Sequence, residues 1–113
     1  MTKNQIIATT IINQLGGNKF KVMTGAKDLL AIDNGVSFKL PSRFAKDGIN
    51  HISITLNGND LYDIKFNKIT SKNHEVYNIR VPVLKEFKSF DDVYAEDLTE
   101  LFESTTGLFT KLF

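Results

Sequence analysis

Hydrophobic and polar residues alternate most clearly in the middle of the chain. Two segments, 51–56 and 61–66, carry an apolar residue at every second position, and these residues are Ile52, Ile54, Leu56, Tyr62, Ile64 and Phe66. A period of two is typical of a β-strand with one buried face. Asn57-Gly58 between the segments favours a tight turn, because both residues tolerate positive φ. We therefore predict a β-hairpin, with a register left open by a residue or two because Asn59 and Asp60 can lengthen the loop.

Shorter segments on both sides of the hairpin predict four further strands. They cover residues 19–23, 26–32, 36–40 and 74–83. Thr24-Gly25 and Asp33-Asn34-Gly35 favour turns between them. Proline has no N–H for a strand ladder, so Pro41 ends one strand and Pro82 indicates that the last strand finishes at a sheet edge.

Two segments have the period of an amphipathic helix. The first, 2–15, has apolar residues at i, i+3 and i+4 spacings and is followed by Gly16-Gly17, a pair typical of a helix end. The second starts near Ser89, whose spacing from Asp92 resembles a capping box, and ends at Gly107. Its apolar stripe consists of Tyr94, Leu98, Leu101, Phe102 and Thr105.

The order of these elements predicts a fold class. We expect a single α+β domain spanning residues 1–113, in which the N- and C-terminal helices pack on one face of an antiparallel sheet of about five to six strands. The composition, 42% hydrophobic and 24% charged over 113 residues, is that of an ordinary globular domain. The chain has no cysteine and no apolar run long enough to span a bilayer, so we expect a cytoplasmic protein that does not bind a membrane.

Residues with catalytic or metal-binding chemistry are few. The two histidines, His51 and His74, do not form an HxH or HExxH spacing. Asp60 and Asp63 are three residues apart, which places them on opposite faces of a strand and not in an acid-base pair. Since a serine-nucleophile motif is also lacking, we expect no catalytic residue, no metal and no cofactor.

The charge is distributed unevenly along the chain. Residues 1–88 hold 13 Lys and Arg against 7 Asp and Glu, whereas residues 89–113 hold 1 against 6. Several basic residues occupy polar positions of the predicted strands and of the loop after Pro41: Lys19, Lys21, Lys39, Arg43 and Lys65. If they converge, they form a basic face that attracts nucleic-acid phosphates. The alternative is a solvated sheet face whose lysines discourage edge pairing.

The acidic C-terminal helix offers a second candidate surface. The dipole of the helix explains acids in its first turn, but Glu100 and Glu103 lie beyond that turn. Together with Glu96 they predict a negative face that docks on a basic surface of a host protein or of a second copy of this chain. The alternative is a solvated helix face.

Three segments carry a resemblance to a known group of proteins. They are QLGGNKFKVMTGAKDLLAIDNGVSFKLP, INHISITLNGNDLYDIKF and DVYAEDLTELFESTTGLFTKLF, with the most specific likeness in 16–20, 23–27 and 55–66. This chain resembles small proteins of bacteriophages, prophages and other mobile elements from about Gln14 to Phe113. The resemblance implies a phage or mobile-element origin, and it assigns no activity, cofactor or catalytic residue.

Taken together, these features favour a binding protein. We expect a non-enzymatic accessory protein that binds a host or phage protein in the bacterial cytoplasm. A nucleic-acid-binding module that uses the basic face is the alternative, and an enzyme of another type comes third. The sequence leaves homo-oligomer formation open.

Overall fold

The computed structural model describes residues 1–41, 45–73 and 79–110, with the backbone alone at residues 72 and 73. These residues form three helices, α1 (Lys3–Leu15), α2 (Asn18–Thr24) and α3 (Leu98–Thr106), and short 3-10 turns at Lys46–Gly48 and Ala95–Asp97. The five strands are β1 (Lys27–Ile32), β2 (Gly35–Lys39), β3 (His51–Leu56), β4 (Tyr62–Asn73) and β5 (Arg80–Val93). The predicted α+β class is confirmed, and the sheet has five strands.

The sheet is an antiparallel meander with the strand order β1-β2-β3-β4-β5. Each strand therefore pairs with the strand before it in the chain. The predicted hairpin is confirmed as β3–β4, in which Ile54 lies opposite Ile64 and Ile52 lies opposite Phe66. Because β1 and β5 are the edge strands, the prediction that Pro82 lies on an edge is correct.

The loop between β3 and β4 has five residues, 57–61. Its left-handed residue is Asp60, with φ 58°, and not Asn57 or Gly58. The side chain of Asn57 organises the loop, since its Oδ1 accepts hydrogen bonds from the backbone N–H groups of Asn59 and Leu61 at 2.8 and 3.3 Å. An asparagine side chain commonly takes the place of a backbone carbonyl in a turn in this way. Asn57 therefore stabilises the longer loop, which includes Asn59 and Asp60.

The core lies between one face of the sheet and the three helices. Helix α1 contributes Ala8, Ile11, Ile12 and Leu15 to it. The ring of Phe20 in α2 meets Phe38 of β2 and Phe102 of α3 edge-on, with ring centroids 5.4 and 5.2 Å apart. All three rings are fully buried, so these contacts hold α2 and α3 against the sheet.

The prediction of a strand at residues 19–23 is wrong, because these residues belong to α2. The alternation of Phe20 and Val22 indicated a strand, but Val22 is 74% exposed and the buried residues of α2 are Phe20 and Thr24, four positions apart. Gly25, left-handed at φ 74°, ends the helix. Two apolar residues are too short a pattern to distinguish a period of two from a period of 3.6.

The boundaries predicted after the hairpin also change. We predicted a strand over 74–83, of which residues 74–78 lie outside the described residues, and a helix from Ser89. The strand β5 runs from Arg80 to Val93 and α3 begins at Leu98. Residues 86–93 lie in β5 because they pair with β4 from Tyr62 to Asn67, which places Phe90 opposite Ile64. This pairing satisfies backbone groups of β4 that would otherwise lack partners. The predicted helix ends are correct at Gly16 and Gly107.

Candidate functional site

The basic residues predicted to form one face are divided between two layers. Lys19 and Lys21 lie in α2, within the helical layer. Lys39 and Lys65 lie on the opposite face of the sheet, because each neighbours core-facing residues in its strand. Arg43 lies outside the described residues. The expected convergence therefore does not hold for Lys19 and Lys21.

Lys39 and Lys65 share a sheet face without being direct neighbours. Lys39 pairs across the strands with His51, which in turn pairs with Asn67, whereas Lys65 pairs with Ser53. The ammonium of Lys39 lies 3.7 Å from a carboxylate oxygen of Asp28. Both side chains of this ion pair are more than half exposed, and such pairs contribute little to stability.

The three acidic candidates have different environments. Glu96 and Glu100 are exposed, in the 3-10 turn and in α3. The carboxylate of Glu103 accepts hydrogen bonds from the backbone N–H and the hydroxyl of Thr110, at 2.9 and 3.3 Å. Thr110 is buried, so Glu103 fixes the segment after α3 against the body. Among the acids proposed for docking, Glu96 and Glu100 are the exposed ones.

His51 is a half-buried imidazole on the outer face of the sheet. Its Nδ1 lies 3.1 Å from the side-chain amide nitrogen of Asn67, so a neutral ring accepts a hydrogen bond from Asn67 there. Burial lowers the pKa of His51 below the ordinary value of 6.5, and the positive charge of Lys39 lowers it further. His74 lies outside the described residues.

Asp63 and Asp92 take part in a network at the end of the β3–β4 hairpin. The side-chain nitrogen of Asn57 donates to Asp63 at 2.9 Å and to Asp92 at 2.8 Å, and the backbone N–H of Asp92 donates to Asp63 at 3.1 Å. These bonds fix the end of β5 to the hairpin loop. Within the ranges that the structure describes, no group of three or more His, Asp or Glu residues could hold a metal ion.

The most distinctive surface is an extension of the β4–β5 hairpin. Pairing with β3 ends at Asn67, opposite His51. Residues 68–73 of β4 continue beyond it and pair only with residues 80–85 of β5, from Lys68–Lys85 to Asn73–Arg80. We call this two-stranded extension the arm. Six residues of strand extend roughly 20 Å, so the arm is long in a molecule that measures 47 × 32 × 25 Å.

The side chain of Asn50 holds the base of the arm. Its Oδ1 accepts from the backbone N–H of Ile69 at 2.7 Å, and its Nδ2 donates to the carbonyl of Ile69 at 2.9 Å. One amide side chain thus satisfies both backbone groups of Ile69 at the point where β3 no longer pairs. The other β4 residues of the arm, 70–73, pair only with β5 among the described strands.

Exposed apolar side chains concentrate in and beside the β5 half of the arm. Five of the twelve large exposed apolar residues in the described part of the chain lie there: Ile79, Val81, Val83, Leu84 and Phe87, which are 58, 43, 41, 58 and 42% exposed. Single exposed apolar residues are ordinary on protein surfaces, but five of them within residues 79–87, on both faces of one edge strand, indicate an interaction site. The arm is therefore the strongest candidate for a binding surface.

The arm has two faces and one free edge. Phe66 points into the core, and by alternation Lys68 and Thr70 share its face with their partners Lys85 and Val83. The other face carries Ile69 opposite Leu84 and Ser71 opposite Pro82. On its far side β5 has no neighbouring strand among the described residues, so its outward backbone groups are open to another strand.

Sequence patterns alone did not identify the arm. The apolar residues of the strand predicted over 74–83 gave no indication of exposure, but Ile79 and Val81 are exposed. A usable signal was the run of apolar residues around Pro82, because apolar residues at successive positions of a strand place apolar side chains on both of its faces. Pro82 itself correctly indicated an edge.

Fold and surface define the class of this chain as an α+β protein with a five-stranded meander and a projecting two-stranded arm. No protein-family model, curated protein or solved structure matches it. None of the helices in residues 1–41, 45–73 and 79–110 has the length and apolarity needed to cross a membrane.

Proposed function

We propose that this chain is a non-enzymatic accessory protein of a phage or mobile element that binds a host or phage protein through the arm. The observation that carries the proposal is the group of five exposed apolar side chains at residues 79–87. A partner that covers them gains the free energy of removing apolar surface from water. The proposed place of action is the cytoplasm of the bacterial host.

The shape of the arm supports this mode of binding. Its β4 half is paired with β5, so the backbone is already ordered before a partner arrives. A pre-ordered element loses less conformational entropy on binding than a flexible loop does. The two faces of the arm offer a partner apolar side chains to cover, on either side of a strand pair that is already formed.

The acidic surface of α3 is a secondary part of the proposal. Glu96 and Glu100 are exposed and available to a basic partner. Glu103 already accepts hydrogen bonds from Thr110, so its replacement disturbs the fold as well as the surface charge. Charged residues at the rim of an interface mainly affect the rate of association and the choice of partner.

A second candidate function, nucleic-acid binding, is favoured by one specific observation. Lys68 lies directly opposite Lys85 in the arm, and like charges in this position are unfavourable unless an anion lies nearby. Lys65, Arg80 and Lys88 are also on β4 and β5, against the single acid Glu86 in residues 80–88. A two-stranded ribbon fits the major groove of DNA, so the arm suits this role better than the divided set of Lys19, Lys21, Lys39 and Lys65.

A capture experiment tests the proposal and separates it from the second candidate. Tagged protein is incubated with lysate of the bacterium that carries the gene, with and without nuclease, and bound material is identified. We expect a stoichiometric protein that resists nuclease and whose recovery falls by about tenfold with Leu84→Lys, because a buried charge is costly at an apolar interface. Val22→Lys, at an equally apolar exposed position in α2, serves as the matched control and should retain the partner.

Two results would contradict protein binding through the arm. The first is a partner retained equally by Leu84→Lys and Val22→Lys. The second is recovery of nucleic acid alone, which disappears with nuclease and is reduced by Lys68→Glu and Lys85→Glu in a salt-dependent manner. The second result would support the alternative function.

A further inference from the structure

The side chains along the free edge of β5 follow an order that complements a second, antiparallel copy of the same strand. From Arg80 to Glu86 the pairing of β5 with β4 is continuous, and the next irregularity follows at Phe87. This stretch of seven residues is therefore regular strand on an edge with no described neighbour. Regular, unpaired edge strands are the places where another strand is added most readily.

We propose that two copies of this chain pair antiparallel through their β5 edges, with Val83 opposite Val83 of the second copy. A two-fold axis perpendicular to the sheet relates the copies in such a dimer, so every contact occurs twice. In this register Arg80 lies opposite Glu86, Pro82 opposite Leu84 and Val81 opposite Lys85.

Charge complementarity selects this register. Arg80 and Glu86 are six positions apart and hence on the same face of the strand, so the two-fold axis produces two pairs of opposite charge. A register centred on Lys85 places lysine opposite lysine. A register centred on Leu84 places Glu86 opposite Pro82 and Val83 opposite Lys85, with no opposite charges across the seven residues. The pairing centred on Val83 places Arg80 opposite Glu86, Pro82 opposite Leu84 and Val83 opposite itself, and its mixed pair is Val81 opposite Lys85.

Pro82 makes the pairing depend on side chains. Because proline has no N–H, the edge offers fewer backbone donors than a regular strand, which discourages unrelated strands from adding to it. The contacts of Arg80 with Glu86 and of Pro82 with Leu84 then decide which strand is accepted. Once paired, the β5 edges of both copies are used, so this isologous contact closes as a dimer.

The dimer would join the two arms into a four-stranded ribbon. Val81 and Val83 of both copies would share one face, and Pro82 and Leu84 of both copies the other, because residues two apart on a strand share a face. The two five-stranded sheets would become continuous. This inference goes beyond the proposed function and does not require it, since the dimer forms from the purified chain alone.

The first test measures the molar mass of the purified protein by light scattering over a range of concentrations. We expect a dimer, and we expect Arg80→Glu and Glu86→Arg each to raise its dissociation constant by about tenfold, because symmetry turns both ion pairs into like-charge pairs. The double variant Arg80→Glu with Glu86→Arg should restore the dimer. Circular dichroism and thermal unfolding of each variant verify that the fold is unchanged.

A second test determines the register. The chain has no cysteine, so single cysteine variants form disulfides only between copies. We expect Val83→Cys to form a disulfide-linked dimer on mild oxidation, since the residue at the two-fold axis faces its own copy. Leu84→Cys, one position away on the opposite face, is the matched control and should cross-link at least about tenfold more slowly, because its thiols lie on either side of the axis.

Three outcomes would overturn the dimer proposal: a monomer at all concentrations, a charge-swapped double variant that stays as weak as the single ones, or equal cross-linking of Val83→Cys and Leu84→Cys. The charge-swap and cross-linking tests use purified protein, and the charge swaps leave all apolar residues in place. Failure of the dimer is therefore distinguishable from failure of partner capture.

Discussion

Single residues determine this structure where one side chain replaces a backbone interaction. Asn57 shapes the β3–β4 loop, and Asn50 satisfies the backbone of Ile69 where β3 no longer pairs. Glu103 fixes the segment after α3 through Thr110. Sequence patterns identified Asn57 as a turn residue and Glu103 as part of an acidic face and assigned no role to Asn50, because the partners of Asn50 and Glu103 are defined only by the fold. Glu103, which the sequence suggested as a binding residue, therefore stabilises the fold through its hydrogen bonds with Thr110.

At the residue scale, we predict that His51 makes stability depend on pH. Its folded pKa is lowered below 6.5, so between the two pKa values the unfolded state binds more protons than the folded state. The contribution of the neutral His51 ring to the free energy of unfolding is fully present above pH 6.5. It is lost as the pH falls from 6.5 towards the pKa of His51 in the folded state. We expect the midpoint of urea unfolding to decrease over this range and His51→Gln to remove this decrease.

A substitution close to His51 in the same strand provides the control for this measurement. Ser53→Ala lies on the same face of β3 and removes no titratable group, so its unfolding midpoint should keep the pH dependence of the unmodified protein. A His51→Gln variant with an unchanged pH dependence would contradict the role of His51. Thermal unfolding at pH 7.5 shows whether either substitution affects the fold for other reasons.

At the scale of elements, tertiary contacts decided the cases in which local patterns were short. Helix α2 has only seven residues, and isolated helices of that length are unstable in water. It forms because Phe20 is held between Phe38 and Phe102. Likewise, residues 89–93 have the spacing of a helix start but belong to β5, because Phe90 packs edge-on against Phe66 at 6.1 Å and the strand pairs with β4.

We predict that α2 depends on Phe20 and not on Val22. Phe20→Ala should lower the free energy of unfolding by about 3–5 kcal/mol, because it leaves a cavity among three packed rings. Val22→Ala lies two positions away and is exposed, so it should change stability by no more than about 0.5 kcal/mol. Urea unfolding followed by circular dichroism measures both values. Equal effects would support the strand that the sequence pattern indicated.

At the scale of the whole molecule, stability is distributed unevenly along one strand. The first half of β4 pairs with β3 and β5 and contributes Ile64 and Phe66 to the core. The second half pairs only with β5 in the arm. One continuous strand therefore passes from the buried core, at Ile64 and Phe66, to an exposed segment at residues 70 and 71. Such a division of stable body and less protected extension is common in binding proteins.

We predict a corresponding difference in amide hydrogen exchange along β4. Backbone amides of residues 70–73 should exchange faster than those of residues 63–66 by at least about a hundredfold, because opening the arm exposes little apolar surface whereas opening the body disrupts the core. Exchange is measured by mass spectrometry on peptides from the two halves, at a protein concentration where light scattering shows a monomer, so that no second copy covers the arm. Equal protection of both halves in the monomer would contradict the prediction.

The sequence by itself determined the fold class, the β3–β4 hairpin, the bounds of α1, the C-terminal end of α3 and the edge position of Pro82. These features depend on local signals, namely alternation, helical periodicity, glycine and proline, that act over a few neighbouring residues. Only the tertiary structure decided that residues 19–23 form a helix, that β5 extends to Val93 and that the apolar residues around Pro82 form an exposed arm. Each of these depends on whether a distant element covers a given side chain, and burial of that kind is set by the assembled chain.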